Sequence, residues 1–178
     1  SKVQAGVTYL SEMQMRSLGR IFWEHWNLLI RHPWRYIRAF TLQFRSRASR
    51  ERFAQAVFLA NHLRKHAVCR LHAHFAKESC DLARWINSLT GIPFSFTCHA
   101  KDVYSGGRLY SKSFYRNLSS ADFVVTVSLQ TKQDILSAWP DVTHEKIHVI
   151  YNGIDLQRFQ PQLTSSEQRE RLILSTGR

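Results

Sequence analysis

Five short clusters carry the residues with chemistry to offer. His72 and His74 alternate in RLHAHFA (70–76), and His99, Lys101 and Asp102 close PFSFTCHAKDVY (93–104). Ser128 ends ADFVVTVS (121–128). Asn152, Gly153 and Asp155 lie in KIHVIYNGIDLQRFQP (146–161), and Gly177 and Arg178 are the last two residues. Imidazoles can donate or accept hydrogen bonds, move protons or ligate a metal. A tetrahedral metal site needs a third and a fourth ligand. Local spacing supplies neither, and only His99 stands as a further candidate. Ser128 lies outside any G-x-S-x-G turn and has no obvious base, so it reads as a helix cap and not as a nucleophile. The chain has no G-x-G-x-x-G loop; Gly106-Gly107 reads as a tight turn.

The clusters fall at the ends of short apolar runs, and those runs define the elements that must position them. Strands are expected at Val68–Phe75, Pro93–Cys98, Phe123–Val127, Lys146–Ile150 and Leu172–Ser175. Helices are expected at Lys77–Thr90, Leu109–Ser119 and Leu129–Ala138, with Gly91 ending the first and Pro140 stopping the last. Strands alternating with helices of about ten residues imply βαβ units and a parallel sheet. Ligands of such sheets sit at the carboxyl ends of the strands, which is where the clusters lie. On a strand, residues two apart share a face, so His72 and His74 face the same way. Asn152-Gly153 tolerates left-handed backbone and is expected to turn the chain sharply before a polar linker at 161–169.

Residues 13–66 follow a different rhythm, with apolar residues three and four apart. Leu18, Ile21, Phe22, Trp26, Leu29 and Ile30 mark a first helix. Ile37, Phe40, Thr41 and Phe44 share one face of a second, with Pro33 in its first turn. Phe53, Val57, Ala60 and Leu63 mark a third beginning near Ser49. This segment holds most of the charge. The chain is +12, and between residues 16 and 66 ten arginines and Lys65 face only Glu24 and Glu51. Arginines interleaved with Trp23, Trp26, Trp34, Tyr36 and Phe40 suit an anionic bilayer surface. No recognised nucleic-acid module accompanies the charge, so nucleic acid is not the expected partner.

Apolar residues at 44 % against 21 % charged exclude a largely disordered chain. No run of about 18 apolar residues is present, so no membrane-spanning helix is expected, and Ser1–Ala5 lacks a signal-peptide core. Cys69, Cys80 and Cys98 form no metal or redox pattern, and their odd number fits a reducing cytosol.

The four strings quoted above, in that order and spacing, resemble glycosyltransferase family 4, most closely its bacterial exopolysaccharide and colanic-acid-type members. The resemblance runs from about Ala67 to Arg178 and is weaker before it. It implies a retaining enzyme of the two-domain GT-B architecture. The fold class is then α/β, a Rossmann-like parallel sheet flanked by helices, with residues 1–160 forming the acceptor-side domain. Residues 161–178 would be the linker and first strand of a donor-binding domain. The family's opening strand is expected before Ser1 and the rest of its second domain after Arg178.

By the same resemblance His99 lies in the interdomain cleft beside the donor sugar and is the catalytic candidate. His74, Lys101, Asp102, Ser128 and Asn152 are the substrate-binding candidates, Lys101 toward an acceptor phosphate. Arg178 would hold the donor diphosphate through bidentate contacts. The implied partners are a nucleotide sugar, a glycan or lipid-linked acceptor, and an anionic membrane surface at residues 16–66. No metal or other cofactor is expected. The implied location is cytoplasmic, peripheral on the inner face of a bacterial plasma membrane. Two other readings stand beside this one: a non-catalytic basic α/β domain that binds a polyanion, and a metal hydrolase using His72, His74 and His99.

Overall fold

The computed structural model describes residues 18–43 and 47–157. Three helices come first: α1 Leu18–Arg31, α2 Pro33–Gln43 and α3 Arg47–Lys65. The alternating part follows as β1 Leu71–His74, α4 Glu78–Thr90, β2 Phe94–Cys98, α5 Ala100–Tyr104, α6 Lys112–Ser120, β3 Val124–Thr126, α7 Leu129–Ala138 and β4 Ile147–Val149. Short 3-10 turns fill Ser105–Tyr110 and His144–Lys146. The four strands pair in the order β1-β2-β3-β4, and every pairing is parallel. The chain is therefore the Rossmann-like α/β fold expected from its alternating pattern, consistent with the first domain of a GT-B protein.

Register divides the sheet into two unlike faces. Ala73, Phe94, Phe96, Cys98, Val124 and Ile147 form one core with Cys80 and Ala83 of α4, Phe114 and Leu118 of α6 and Ile135 of α7. The pairings His72↔Ser95, His74↔Thr97 and Val125↔His148 place the polar residues on the opposite face. His72 and His74 do share a face, as strand alternation requires.

Helices α1–α3 do not build onto that core. They form a second one, in which Leu28, Tyr36, Ala39, Phe53, Ala56, Val57 and Ala60 pack against Trp85, Ile86 and Leu89 of α4. Helix α4 is thus buried on two sides, with residues 80 and 83 toward the sheet and 85, 86 and 89 toward the helices. Phe53 is fully buried and lies within ring-packing distance of His25, Tyr36, Phe40 and Trp85.

Two helices leave large apolar side chains exposed. In α1 the buried position is Leu28, while Phe22, Trp26 and Ile30 form an exposed ridge, with Phe22 and Trp26 stacked at 6.2 Å. In α2 Tyr36 and Ala39 are buried and Ile37 is half-exposed, while the partly exposed Phe40 packs its ring against Tyr36 and Phe53. A polar contact that periodicity does not register joins the two helices: Tyr36 Oη lies 2.6 Å from His25 Nδ1. The third helix packs through Phe53, Val57 and Ala60 as its spacing predicts. Phe44, Arg16, Arg45, and the expected linker and strand after 157 lie outside the described residues.

Gly91 ends α4 at φ +80°, and its N–H closes on Asn87 O at 2.8 Å. A Cβ there would stand 3.1 Å from the Arg35 guanidinium, a mobile side-chain tip, so the left-handed backbone and not the space is what favours glycine. Gly106 and Gly107 are also left-handed, which confirms the expected tight turn. Asn152-Gly153 is different: neither residue enters the left-handed region, and the chain continues extended to a turn at 156–157, where Asp155 Oδ1 accepts from Gln157 N at 3.0 Å. The sharp Asn-Gly turn is not formed.

Candidate active site

At the carboxyl end of β1 the backbone makes an unusual bend. Phe75 adopts φ +78°, a left-handed conformation that a residue with a Cβ holds only when its surroundings impose it. Four hydrogen-bond contacts surround it. Phe75 N donates to Thr97 O at 3.0 Å, Ser79 Oγ donates to the carbonyls of His74 and Phe75 at 2.9 Å each, and Ala76 N donates to Asp102 Oδ2 at 3.3 Å. The bend brings His74 beside His99 from the end of β2. Their Nε2 atoms stand 3.1 Å apart, and Phe75's ring packs at 4.5 Å from the His74 ring and 5.2 Å from the His99 ring. One imidazole of the pair donates and the other accepts, so each ring's tautomer is set by its neighbour.

Asp102 is buried at 4 % exposure, and the same Oδ2 also accepts from His99 N at 3.2 Å. This carboxylate caps the first turn of α5 and joins the loop after β1 to the loop after β2. Lys101 is exposed on the same turn. Below them, Arg108 Nε donates to Ala76 O at 2.6 Å, and its Nη2 lies 3.7 Å from Asp81 Oδ1. Asp81 in turn accepts from Ser113 Oγ at 3.0 Å and from Asn117 Nδ2 at 2.8 Å. A buried polar chain therefore supports the β1 exit from α4, α6 and the 3-10 turn.

Helix α5 is also tied forward. Tyr104 donates to Asp134 of α7 at 2.5 Å, which holds that carboxyl below its ordinary range, while burial and the same contact push the Tyr104 phenol up. Ser128 caps α7, its Oγ accepting from Thr131 N at 3.2 Å. The exit from β4 is pinned by Ile150 N donating to Thr126 O at 2.9 Å, and Asn152 follows it, exposed. So His74, His99, Lys101, Asp102, Ser128 and Asn152 all lie along one sheet edge. Only His74, His99 and Asp102 are joined within one small cluster. Arg178 lies outside the described residues.

His72 is set apart from the pair. Its Nδ1 meets Ser95 Oγ at 2.8 Å and its Nε2 meets Thr97 Oγ1 at 3.0 Å, so both nitrogens are engaged by hydroxyls on β2. Partial burial, and secondarily His74, lower its pKa. Among the described residues no group of three or more His, Cys, Asp or Glu is arranged to hold a metal ion. Burial also pushes the Cys80 and Cys98 thiols up, Cys98 to about 12, so neither is a ready nucleophile. Phe75, Tyr104 and Arg108 were not singled out from sequence. Phe75 and Tyr104 fall inside the strings quoted above, but nothing in the string marks a left-handed phenylalanine.

A parallel α/β sheet with its polar residues gathered at the strand ends is the class that the fold and site define. Residues 17–158 match Glycosyltransferase Family 4, and the chain belongs to that family. It is also similar to a Bacillus subtilis (strain 168) protein provisionally named teichuronic acid biosynthesis glycosyltransferase TuaC. The two are 37 % identical over 112 residues, a stretch that covers 58 % of this chain and 27 % of the relative. This chain thus matches about a quarter of that protein's length. Among the described residues no helix is long and apolar enough to cross a membrane.

Proposed function

We propose that the protein is a retaining glycosyltransferase of cell-surface polysaccharide biosynthesis, moving a hexose from a nucleotide sugar to a hydroxyl of a glycan or lipid-linked acceptor. The observation that carries this reading is the His74–His99 pair, held at the carboxyl edge of the sheet by Asp102 in a chain of this family. The relative's name, which refers to teichuronic acid biosynthesis, supports a polysaccharide product. His99 faces the donor sugar, where an imidazole or its backbone hydrogen-bonds sugar hydroxyls and steadies charge developing at the anomeric carbon. His74 fixes the orientation of His99. Lys101 meets an acceptor phosphate, Ser128 and Asn152 border the cleft, and Asp102 keeps the two histidine loops in register. Arg178 takes the leaving diphosphate. No metal or cofactor enters the scheme.

The exposed ridge of Phe22, Trp26 and Ile30, with Trp23 and Trp34 nearby and arginines between them, supports a peripheral seat on the cytoplasmic face of an anionic membrane. The test of the catalytic reading is His99→Ala in the intact protein, assayed for transfer from nucleotide sugars. The expected result is a loss of roughly a hundredfold or more with unchanged circular dichroism. An unchanged transfer rate removes His99 from the site.

A further inference from the structure

A cleft lies away from the strand ends. It has a volume of about 780 Å³ and is lined by Trp34, Arg35, Arg38, Ala39 and Thr41 of α2, by Arg84, Trp85, Asn87 and Ser88 of α4, and by Arg116 and Ser120 of α6. Four guanidiniums line it, and no carboxylate does. Its α4 and α6 residues come from the second halves of those helices. Thr90 leads within four residues to the start of β2, and Asp122, just after α6, pairs its N–H with Phe94 O at 2.8 Å. The cleft therefore opens near the amino edge of the sheet, at the far end from His74 and His99.

Its arginines are not equally engaged. Arg84 Nε donates to Asn117 Oδ1 at 2.8 Å and its guanidinium lies over Trp85. Arg35 lies against Gly91 at the carboxyl end of α4, where the helix dipole favours a cation. Arg38 and Arg116 are exposed, and among the described residues neither is in an ion pair. At the rim, Trp34 is 84 % exposed, the most exposed large apolar side chain of the described structure. Indole rings prefer the boundary between lipid and water, and guanidiniums bind phosphate oxygens in pairs.

We propose that this cleft seats the phosphate of an anionic phospholipid headgroup, with Arg38 and Arg116 on the phosphate oxygens and Trp34 at headgroup depth. The inference deepens the membrane reading given above and rests on it. It differs by naming one site, part of which belongs to α4 and α6 and not to the basic helices. An open cleft lined by four guanidiniums, with an exposed indole at its rim, suits a phosphate headgroup presented from a surface. The seat is an anchor: it holds the amino edge of the sheet on the bilayer and leaves the carboxyl edge clear.

The experiment is co-sedimentation of the intact protein with vesicles of phosphatidylglycerol and phosphatidylcholine, against phosphatidylcholine alone. The variants are Arg116→Glu, Arg38→Glu and Lys112→Glu, the last carrying the same charge change one turn earlier on α6 and outside the cleft. Thermal melts check that each is folded; Arg116→Ala and Arg38→Ala replace any that is not. The expected result is at least a tenfold loss of anionic-vesicle affinity for either arginine reversal and a threefold loss or less for Lys112→Glu. Equal losses in all three overturn the cleft and leave only diffuse charge. Unchanged binding in the arginine variants overturns the cleft while the membrane reading stands. Failure of the unmodified protein to prefer anionic vesicles overturns both. Inorganic phosphate binding to the vesicle-free protein that is lost in Arg116→Glu, with vesicle binding unchanged in that variant, makes free phosphate the occupant and overturns the lipid assignment.

Discussion

The helical half, residues 18–65, and the sheet half, residues 71–157, are stabilised in different ways. The helical half is held by stacked apolar and aromatic side chains and by few buried polar contacts, chiefly His25 with Tyr36 and Asn61 Nδ2 with Glu24 O at 2.9 Å. The sheet half has an apolar core too, but its strand-end loops hang on buried carboxylates, Asp81 and Asp102. One half tolerates variation in what faces water, and α1 accordingly displays a row of large apolar residues. The other cannot lose a single buried charge without stranding its partner. Apolar packing builds a surface, whereas buried polar chains fix loop positions to within a hydrogen bond, as a catalytic edge requires.

The largest expected effect tests whether the halves are separable. Phe53→Ala removes the ring at the centre of the helical core and should cost about 3–5 kcal/mol. Because α4 belongs to both cores, circular dichroism and hydrogen exchange of the β2 and β3 amides should report one transition. Two separated transitions would show that the halves are independent. Next comes Asp81→Ala. It leaves the Arg108 guanidinium buried without its carboxylate, and a loss of about 2–4 kcal/mol is expected. Hydrogen exchange should report the opening first at Ala76 and His99, and protection unchanged at both would break the proposed support of the site by this chain. The smallest effect is with pH. Burial holds His25 below its ordinary 6.5, with Glu24 opposing, and burial together with Arg64, Arg35 and Arg31 does the same to His32. The unfolded chain then takes up protons before the folded one does. Stability is full above 6.5 and should fall as pH drops through it. Melting temperatures between pH 8 and 5 should drift downward, less steeply in His25→Gln, and a rise on acidification would contradict the assignment.

Much of the sheet half could be read from residues alone. The alternation of strands and helices, Gly91, the Ser128 cap and the shared face of His72 and His74 follow from local rules that the structure obeys. What escaped reading depends on contacts distant in sequence. Helix α5 and the turn at 105–110 are too short to show a period. The Val68–Phe75 strand shrank to Leu71–His74 because Val68 N turns back to Leu63 O at 3.3 Å and Phe75 bends at the other end. Helix α2 buries Tyr36, whose phenol meets His25 Nδ1 eleven residues away, a pairing that helical spacing does not reveal. Asn152-Gly153 permits a left-handed turn, and permission is not a requirement. In the site, the residue types were visible, but the pairing of His74 with His99 needed the register of β1 on β2.

Strand order carries a last consequence, for how the chain folds as it is made. Among the described residues each strand pairs only with the one before it and the one after it. None of these four strands must be threaded between two that are already paired, and each closing loop is a single βαβ unit, so this part of the sheet grows at one edge as synthesis proceeds. The helical half runs against this order. It emerges before α4, yet its core needs Trp85, Ile86 and Leu89. Until α4 leaves the ribosome, Phe53 and its neighbours have no partner face, so these helices wait for a later element before they are buried.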